Sequence, residues 1–133
     1  MKKCIFCDLK TTLKESGRKE LFRDALVTVF ESKAKDAKKH LLIIPNKHLI
    51  GTENLDHTHE GLLKHMLEVA QGVVGKNHKK YIMGFHKSPF RSVDHLHMHC
   101  VLPPFKSWWI WWKYADYTPF FISVENLITH IKK

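Results

Sequence analysis

From Asp56 or Thr58 onward, apolar residues return at helical spacing: Leu62, Leu63, Met66, Leu67, Val69, Ala70, Val73 and Val74. Glu60, Lys64, Glu68 and Gln71 fall mainly on the other side, so the stretch predicts one long amphipathic helix ending near Gly75 or Asn77. Its histidines, His57, His59 and His65, read as surface residues. Shorter runs read as strands. Ala25 to Phe30 is rich in β-formers, Leu21 to Arg23 is a candidate ahead of it, and Asp24 predicts a hairpin turn between them. His40 to Ile44 is an apolar run ended by Pro45, as suits a central strand, and Tyr81 to Phe85 is the next. Residues 4–10 predict a short helical or irregular start, while 11–19 and the lysine-rich 31–39 predict loops. Ser123 is a plausible N-cap for a short amphipathic helix running to Ile131. The pattern is that of an α+β fold in one domain over residues 1–133: an antiparallel sheet of about five strands, one long helix and a short C-terminal helix.

A different alternation runs through His95-Leu96-His97-Met98-His99-Cys100-Val101. In a strand, residues two apart share a face. A strand over 95–102, stopped by Pro103-Pro104, puts three imidazoles on one face and Leu96, Met98 and Cys100 on the other. The apolar face can enter a core. The histidine face then looks into a cleft, a metal or a ligand, because buried imidazoles need partners. A neutral imidazole is nucleophilic and can bond to phosphorus, and a protonated neighbour can stabilise anionic oxygens. Asp94 is alone and falls on the other face, so no carboxylate cluster for Mg²⁺ accompanies the histidines; the chemistry calls for no Mg²⁺.

Charge narrows the partners. The net charge is +9 and the isoelectric point about 9.5, so the field attracts anions, nucleotides and nucleic acid among them. The cations sit in short clusters (Lys33, Lys35, Lys38, Lys39; Lys76, Lys79, Lys80; Lys132, Lys133) with no long basic tail, which favours a solvated basic surface over nucleic-acid binding. No apolar run reaches bilayer length, and the basic start, broken by Asp8, is too short for a signal peptide, so the expected compartment is cytoplasmic, with the nucleus as an addition.

Three cysteines in such a chain argue against a disulfide framework. Cys100 reads as core. Cys4 and Cys7 form a C-x-x-C pair that reads as a zinc knuckle, a redox motif or coincidence; a redox motif wants a βαβ context that does not follow, and a zinc site needs two more ligands. The run Trp108-Trp109-Ile110-Trp111-Trp112, followed by Lys113-Tyr114, reads as a segment packed on the domain or an interface, then as a stacking platform, and least as a membrane wedge.

The His-x-His-x-His run resembles the signature of the histidine-triad (HIT) family of nucleotide hydrolases and transferases. Cys4-Ile5-Phe6-Cys7, the stretch His40 to His48, and Gly84-Phe85-His86 with Pro89 and Ser92 resemble its Hint-type members near aprataxin, over roughly residues 4–130. The resemblance implies a HIT-like fold, usually as a homodimer. It makes His97 the nucleophile at the α-phosphorus of a purine nucleoside phosphoramidate or acyl-adenylate, with release of AMP through a nucleotidyl-histidine. It has His99 hold or protonate the phosphate, makes His40 a fourth active-site histidine, and puts His86 and Ser92 beside the phosphate, with backbone N–H groups near Val93 to cradle oxygens. Ile5, Phe6, Leu9 and Phe30 match positions of the base pocket. Ser32 stands where related proteins carry an aspartate that binds the ribose, with Glu31 as a possible substitute. Cys4, Cys7, His48 and His95 match a structural zinc set. Two alternatives stand beside this reading: aprataxin-like removal of AMP from 5′-adenylated DNA, and a non-catalytic nucleotide-binding scaffold.

Overall fold

Asp24 makes the predicted turn: its Oδ1 accepts the backbone N–H groups of Leu26 and Val27, each at 2.8 Å. The turn joins β1 (Glu20–Arg23) to β2 (Val27–Glu31) in a computed structural model that describes residues 4–32, 36–91, 93–116 and 118–132. The remaining strands are β3 (Ala37–Pro45), β4 (Ile82–His86), β5 (Met98–Phe105) and β6 (Phe121–Ser123). All pairings are antiparallel, in the order β1-β2-β3-β5-β4-β6. The helices are α1 (Leu9–Ser16), α2 (Glu60–Val74), α3 (Ile110–Lys113) and α4 (Val124–Ile131). The α+β reading holds, with six strands among the described residues in place of about five. No helix of the described residues is long and apolar enough to cross a membrane.

Side-chain alternation divides the sheet into two faces. On one, Val27, Val29, Ile43, Met83, Phe85, Leu96, Met98 and Cys100 pack with Leu63, Met66 and Ala70 of α2 and Val124, Leu127, Ile128 and Ile131 of α4. Leu96, Met98 and Cys100 thus lie where the alternation sends them. On the other face two smaller clusters stand apart. Phe6, Leu9 and Leu13 pack on Phe30, Leu42 and Ile44. Further along, Ile110 and Tyr114 pack on Ala37, Val101 and Phe121. The histidines emerge between these two clusters.

Several elements differ from the sequence expectation. Residues 9–16 form a helix where a loop is expected from Thr11. Leu9 and Leu13 are its only buried residues, too short a repeat to stand out, and Gly17 ends it at φ 69° as the Arg18 N–H returns to the Leu13 carbonyl. The ladder of β5 begins at Met98, so His95 and His97 lie in an approach held by the Leu96 N–H on the Leu49 carbonyl at 2.6 Å. Nor does Pro103-Pro104 stop the strand. The register shifts there, Lys39 facing Leu102 and Ala37 facing Phe105, and an irregularity tolerates residues without an N–H. The long helix is flanked by single-turn helical segments His57–His59 and Gly75–Lys80. β6 had no forecast; Ser123 at its end caps α4 as expected, accepting the Asn126 N–H at 3.2 Å. The packed reading of the tryptophans is overturned: Trp108 is 81% exposed and Trp109, Trp111 and Trp112 at least 51%, because Ile110 alone of that run turns inward.

Candidate active site and metal cluster

Between the two clusters lies a cleft of about 570 Å³. His97, His99, His40 and His86 all line it, together with Ile5, Phe6, Ser32 and Val93. A larger hollow of about 670 Å³ behind Tyr114 is walled by Leu67, Gln71 and Trp111 and gathers none of these imidazoles. Leu9 and Phe30 do not line the cleft. They are buried behind its wall and support Phe6, whose ring meets Phe30 edge-on at 5.5 Å. Ser92 lies outside the described residues. Glu31 lines a groove on the opposite face, with Leu41 and Val73, so its carboxylate does not take the ribose position.

The strand geometry builds the floor. His40 and Leu42 share the cleft face of β3, His99 faces Leu42 across the ladder, and Gly84 of β4 faces His99 from the other side. A Cβ on Gly84 would collide with the Ile122 carbonyl oxygen and come within 2.6 Å of the Phe121 ring, so glycine leaves room for that ring beneath His86.

Hydrogen bonds fix the tautomers. His97 Nδ1 lies 2.7 Å from the His95 carbonyl oxygen, which can only accept, so Nδ1 carries the proton and Nε2 keeps its lone pair. The Asp36 N–H donates to His40 Nδ1 at 3.5 Å. His40 Nε2 therefore carries its proton and donates to His99 Nδ1 at 2.8 Å. That leaves the proton of His99 on Nε2, an atom that is buried and has no partner among the described residues. The cleft thus holds a lone pair on one imidazole beside an unused donor on the next, with ring centres 5.1 Å apart.

These rings are held neutral. Burial, with Lys113 adding to it, pushes His86 down to about 4. Burial also lowers His97, and it takes His99 well below the ordinary imidazole range. A neutral His97 is the form that can attack.

Six residues of the cleft are absent from the site expected from sequence: Arg18, Asp36, Leu42, Phe90, Lys113 and Tyr114. Tyr114 donates to Asp36 Oδ2 at 2.5 Å and Lys113 Nζ lies 3.2 Å from the same oxygen. Burial raises Asp36, but these two bonds outweigh it and hold the carboxyl below its usual range.

Cys4, Cys7, His48 and His95 come together although His95 lies far along the chain; their ligand atoms all fall within 4.8 Å of one another. His95 Nε2 donates to the Pro45 carbonyl at 2.9 Å, which leaves Nδ1 as a lone pair facing the cluster. That Nδ1 lies 3.4 Å from Cys4 Sγ, 3.6 Å from Cys7 Sγ and 3.2 Å from His48 Nδ1. Cys7 Sγ lies 3.1 Å from His48 Nδ1. Ligands of a tetrahedral Zn²⁺ stand roughly 3.3–3.8 Å apart, so the four could hold such an ion with little adjustment.

Known proteins share both the sequence and the shape. The family described as "Scavenger mRNA decapping enzyme C-term binding" matches residues 3–114. The bifunctional adenosine 5′-phosphosulfate phosphorylase/adenylylsulfatase HINT4 of Arabidopsis thaliana is 35% identical over 135 aligned residues, 97% of this chain and 91% of the plant protein. Adenosine 5′-monophosphoramidase HINT3 of Xenopus tropicalis is 34% identical over 104, covering 75% of this chain and 67% of its own length. Among solved structures, a HIT family hydrolase from Legionella pneumophila Philadelphia 1 superposes with a TM-score of 0.67 at 25% identity, over 80% of this chain and 97% of its own.

Proposed function

The chain belongs to the histidine-triad (HIT) family, and from that premise we propose that it is an AMP-releasing nucleotidyl hydrolase of the adenosine 5′-monophosphoramidase type. The observation that carries this reading is the pairing of the His97 Nε2 lone pair with the His99 Nε2 donor in one cleft.

The apolar wall of Ile5, Phe6 and Leu42 receives the base, which brings the 5′-phosphorus to His97. Nε2 attacks phosphorus, the bond to the leaving group breaks, and a nucleotidyl-His97 forms. The His95 carbonyl, already bound to Nδ1–H, stabilises the charge that appears on the ring. His99 Nε2–H donates to a phosphoryl oxygen or the leaving atom. Water then attacks phosphorus, breaks the P–N bond and releases AMP. His86 and Val93 line the phosphate side, to which family resemblance adds Ser92, and the route uses no Mg²⁺. Zinc on Cys4, Cys7, His48 and His95 supplies a cross-link: it fixes the turn that carries Ile5 and Phe6 against the sheet.

The reading takes residues 1–133 as one domain and nucleoside 5′-phosphoryl compounds as substrates. It places the protein in the cytoplasm, with the nucleus as an addition. Pairing into a homodimer belongs to it through family resemblance, and light scattering of the purified chain tests that part.

Intact-mass spectrometry after rapid quench with an adenosine phosphoramidate tests the mechanism. Wild type and His99→Ala gain the mass of one AMP, and His97→Ala does not. Absence of both adduct and AMP release refutes the enzyme reading. A second reading, removal of AMP from 5′-adenylated DNA, draws on the exposed tryptophans and on Phe90, exposed at the cleft mouth. Faster turnover of adenylated nicked DNA than of the small phosphoramidate would favour it.

A further inference from the structure

Beside the apolar cluster of Phe6, Phe30 and Leu42, the cleft wall carries the polar side chains Arg18 and Ser32. Arg18 follows the glycine that ends α1, and its guanidinium carbon lies 5.4 Å from the centre of the Phe30 ring. Its Nε donates to Ser16 Oγ at 2.8 Å and its Nη1 to the Glu31 carbonyl at 3.3 Å. Both acceptors are neutral. Among the described residues no carboxylate forms an ion pair with Arg18, although its side chain is half-buried. A partly dehydrated cation with spare donors therefore borders the ligand space, and also a shallow groove that it shares with Lys10, Glu20 and Arg23. The acidic residue of the cleft, Asp36, is tied to Lys113 and Tyr114 instead.

This arrangement has a chemical meaning for the sugar. A nucleoside with its base on Ile5 and Phe6 and its 5′-phosphorus at His97 spans this stretch with its ribose, close to Ser32 and Arg18. Two free ribose hydroxyls are donors and are best met by a carboxylate; a phosphate on the ribose is best met by a guanidinium, the same exchange that separates sites for dinucleotides with and without a ribose phosphate.

Resting on the reading of the cleft as a nucleotidyl hydrolase site, we propose that it prefers nucleoside 5′-phosphoryl compounds that carry a second phosphate on the ribose, at the 2′ or 3′ hydroxyl, and that Arg18 is the specificity-determining residue. The spare guanidinium N–H groups grip that phosphate while Phe30 supports the plane from beneath.

Calorimetric titration with the reaction products tests this without turnover. Adenosine 2′,5′-bisphosphate, adenosine 3′,5′-bisphosphate, AMP and ADP are compared on wild type, Arg18→Gln and Arg18→Lys. ADP carries the same extra phosphate in a place Arg18 does not serve, so it controls for the general positive field. The expected result is that one ribose-phosphorylated product binds wild type at least about tenfold tighter than both AMP and ADP. Which bisphosphate wins assigns the position. The preference shrinks to near unity in Arg18→Gln and returns in part in Arg18→Lys. Bisphosphates no tighter than AMP, or a preference that survives Arg18→Gln, overturn the proposal while leaving the hydrolase intact. Failure of AMP itself to bind, together with absence of the AMP adduct above, overturns both.

Discussion

His40 Nε2 and His99 Nδ1 stand 2.8 Å apart across the β3–β5 ladder, and the backbone N–H of Asp36 sets which of them donates. The contact fixes the position of a proton on the far side of His99, where substrate would meet it. His40→Ala therefore frees His99 to hold its proton on Nδ1 and withdraws the donor from the cleft. We expect kcat for an adenosine phosphoramidate to fall by about 10²-fold, within the range of general acid–base effects, with KM little changed. A steeper dependence of rate on leaving-group pKa in the variant checks the role; an unchanged dependence, or a loss carried by KM with kcat unaltered, would count against it.

His86 sits at about 4 in the folded chain against an ordinary 6.5, and His99 is displaced the same way. Between those pH values the unfolded chain takes up protons that the folded chain excludes, so stability rises with pH through the window and is complete above it. Urea midpoints should be lower at pH 5 than at pH 7.5. Lys113 contributes to the shift, so Lys113→Met should raise the His86 midpoint in a histidine NMR titration. A midpoint that stays put would show that burial acts alone.

The metal cluster makes a compositional prediction. Protein purified without added zinc should contain close to one zinc per chain, measured by elemental analysis, and Cys4→Ser should lose it. Because Ile5 and Phe6 lie between the two thiols, removing the ion with a chelator should also raise KM for nucleotide substrates. The melting temperature should fall by several degrees. Under a tenth of an equivalent of metal in wild type would sink the assignment.

Gly84→Ala places a methyl group against the Ile122 carbonyl and the Phe121 ring, both nearer than atoms can stand. Either β6 separates from β4 or Phe121 leaves its place beneath His86. The expected cost is about 1–3 kcal/mol in chemical denaturation. A melting temperature equal to wild type would mean that the strand moves freely.

Much of this architecture is written in local pattern. The long helix shows in Leu63, Met66 and Ala70, the two sheet faces in alternation such as Leu96, Met98 and Cys100 against His97 and His99. What local pattern could not supply is distance. Asp36 and Tyr114 share a hydrogen bond across 78 positions of sequence, and Arg18 reaches the cleft only because Gly17 turns the chain at the end of a helix buried by two leucines. Packing of the tryptophans on the domain does not follow from their bulk, because apolar bulk predicts burial only on average and here the turn at Ile110 sends just one side chain inward; exposure leaves the interface reading standing. Leu9 and Phe30 match base-pocket positions by family resemblance, and the structure puts them one layer deeper.

The three residues of β6 have a consequence for assembly. An unpaired border of a sheet is a template on which another chain can crystallise its own backbone. β6 covers Gly84, Phe85 and His86, and its Ser123 N–H is already given to Asp116 Oδ1 at 3.0 Å. On the side where the nucleophile works, the sheet is hemmed. A second copy that extended the sheet at the opposite border, Glu20–Arg23, would bring its seam close to the Arg18 side of both clefts and leave the two copies of β6 outermost.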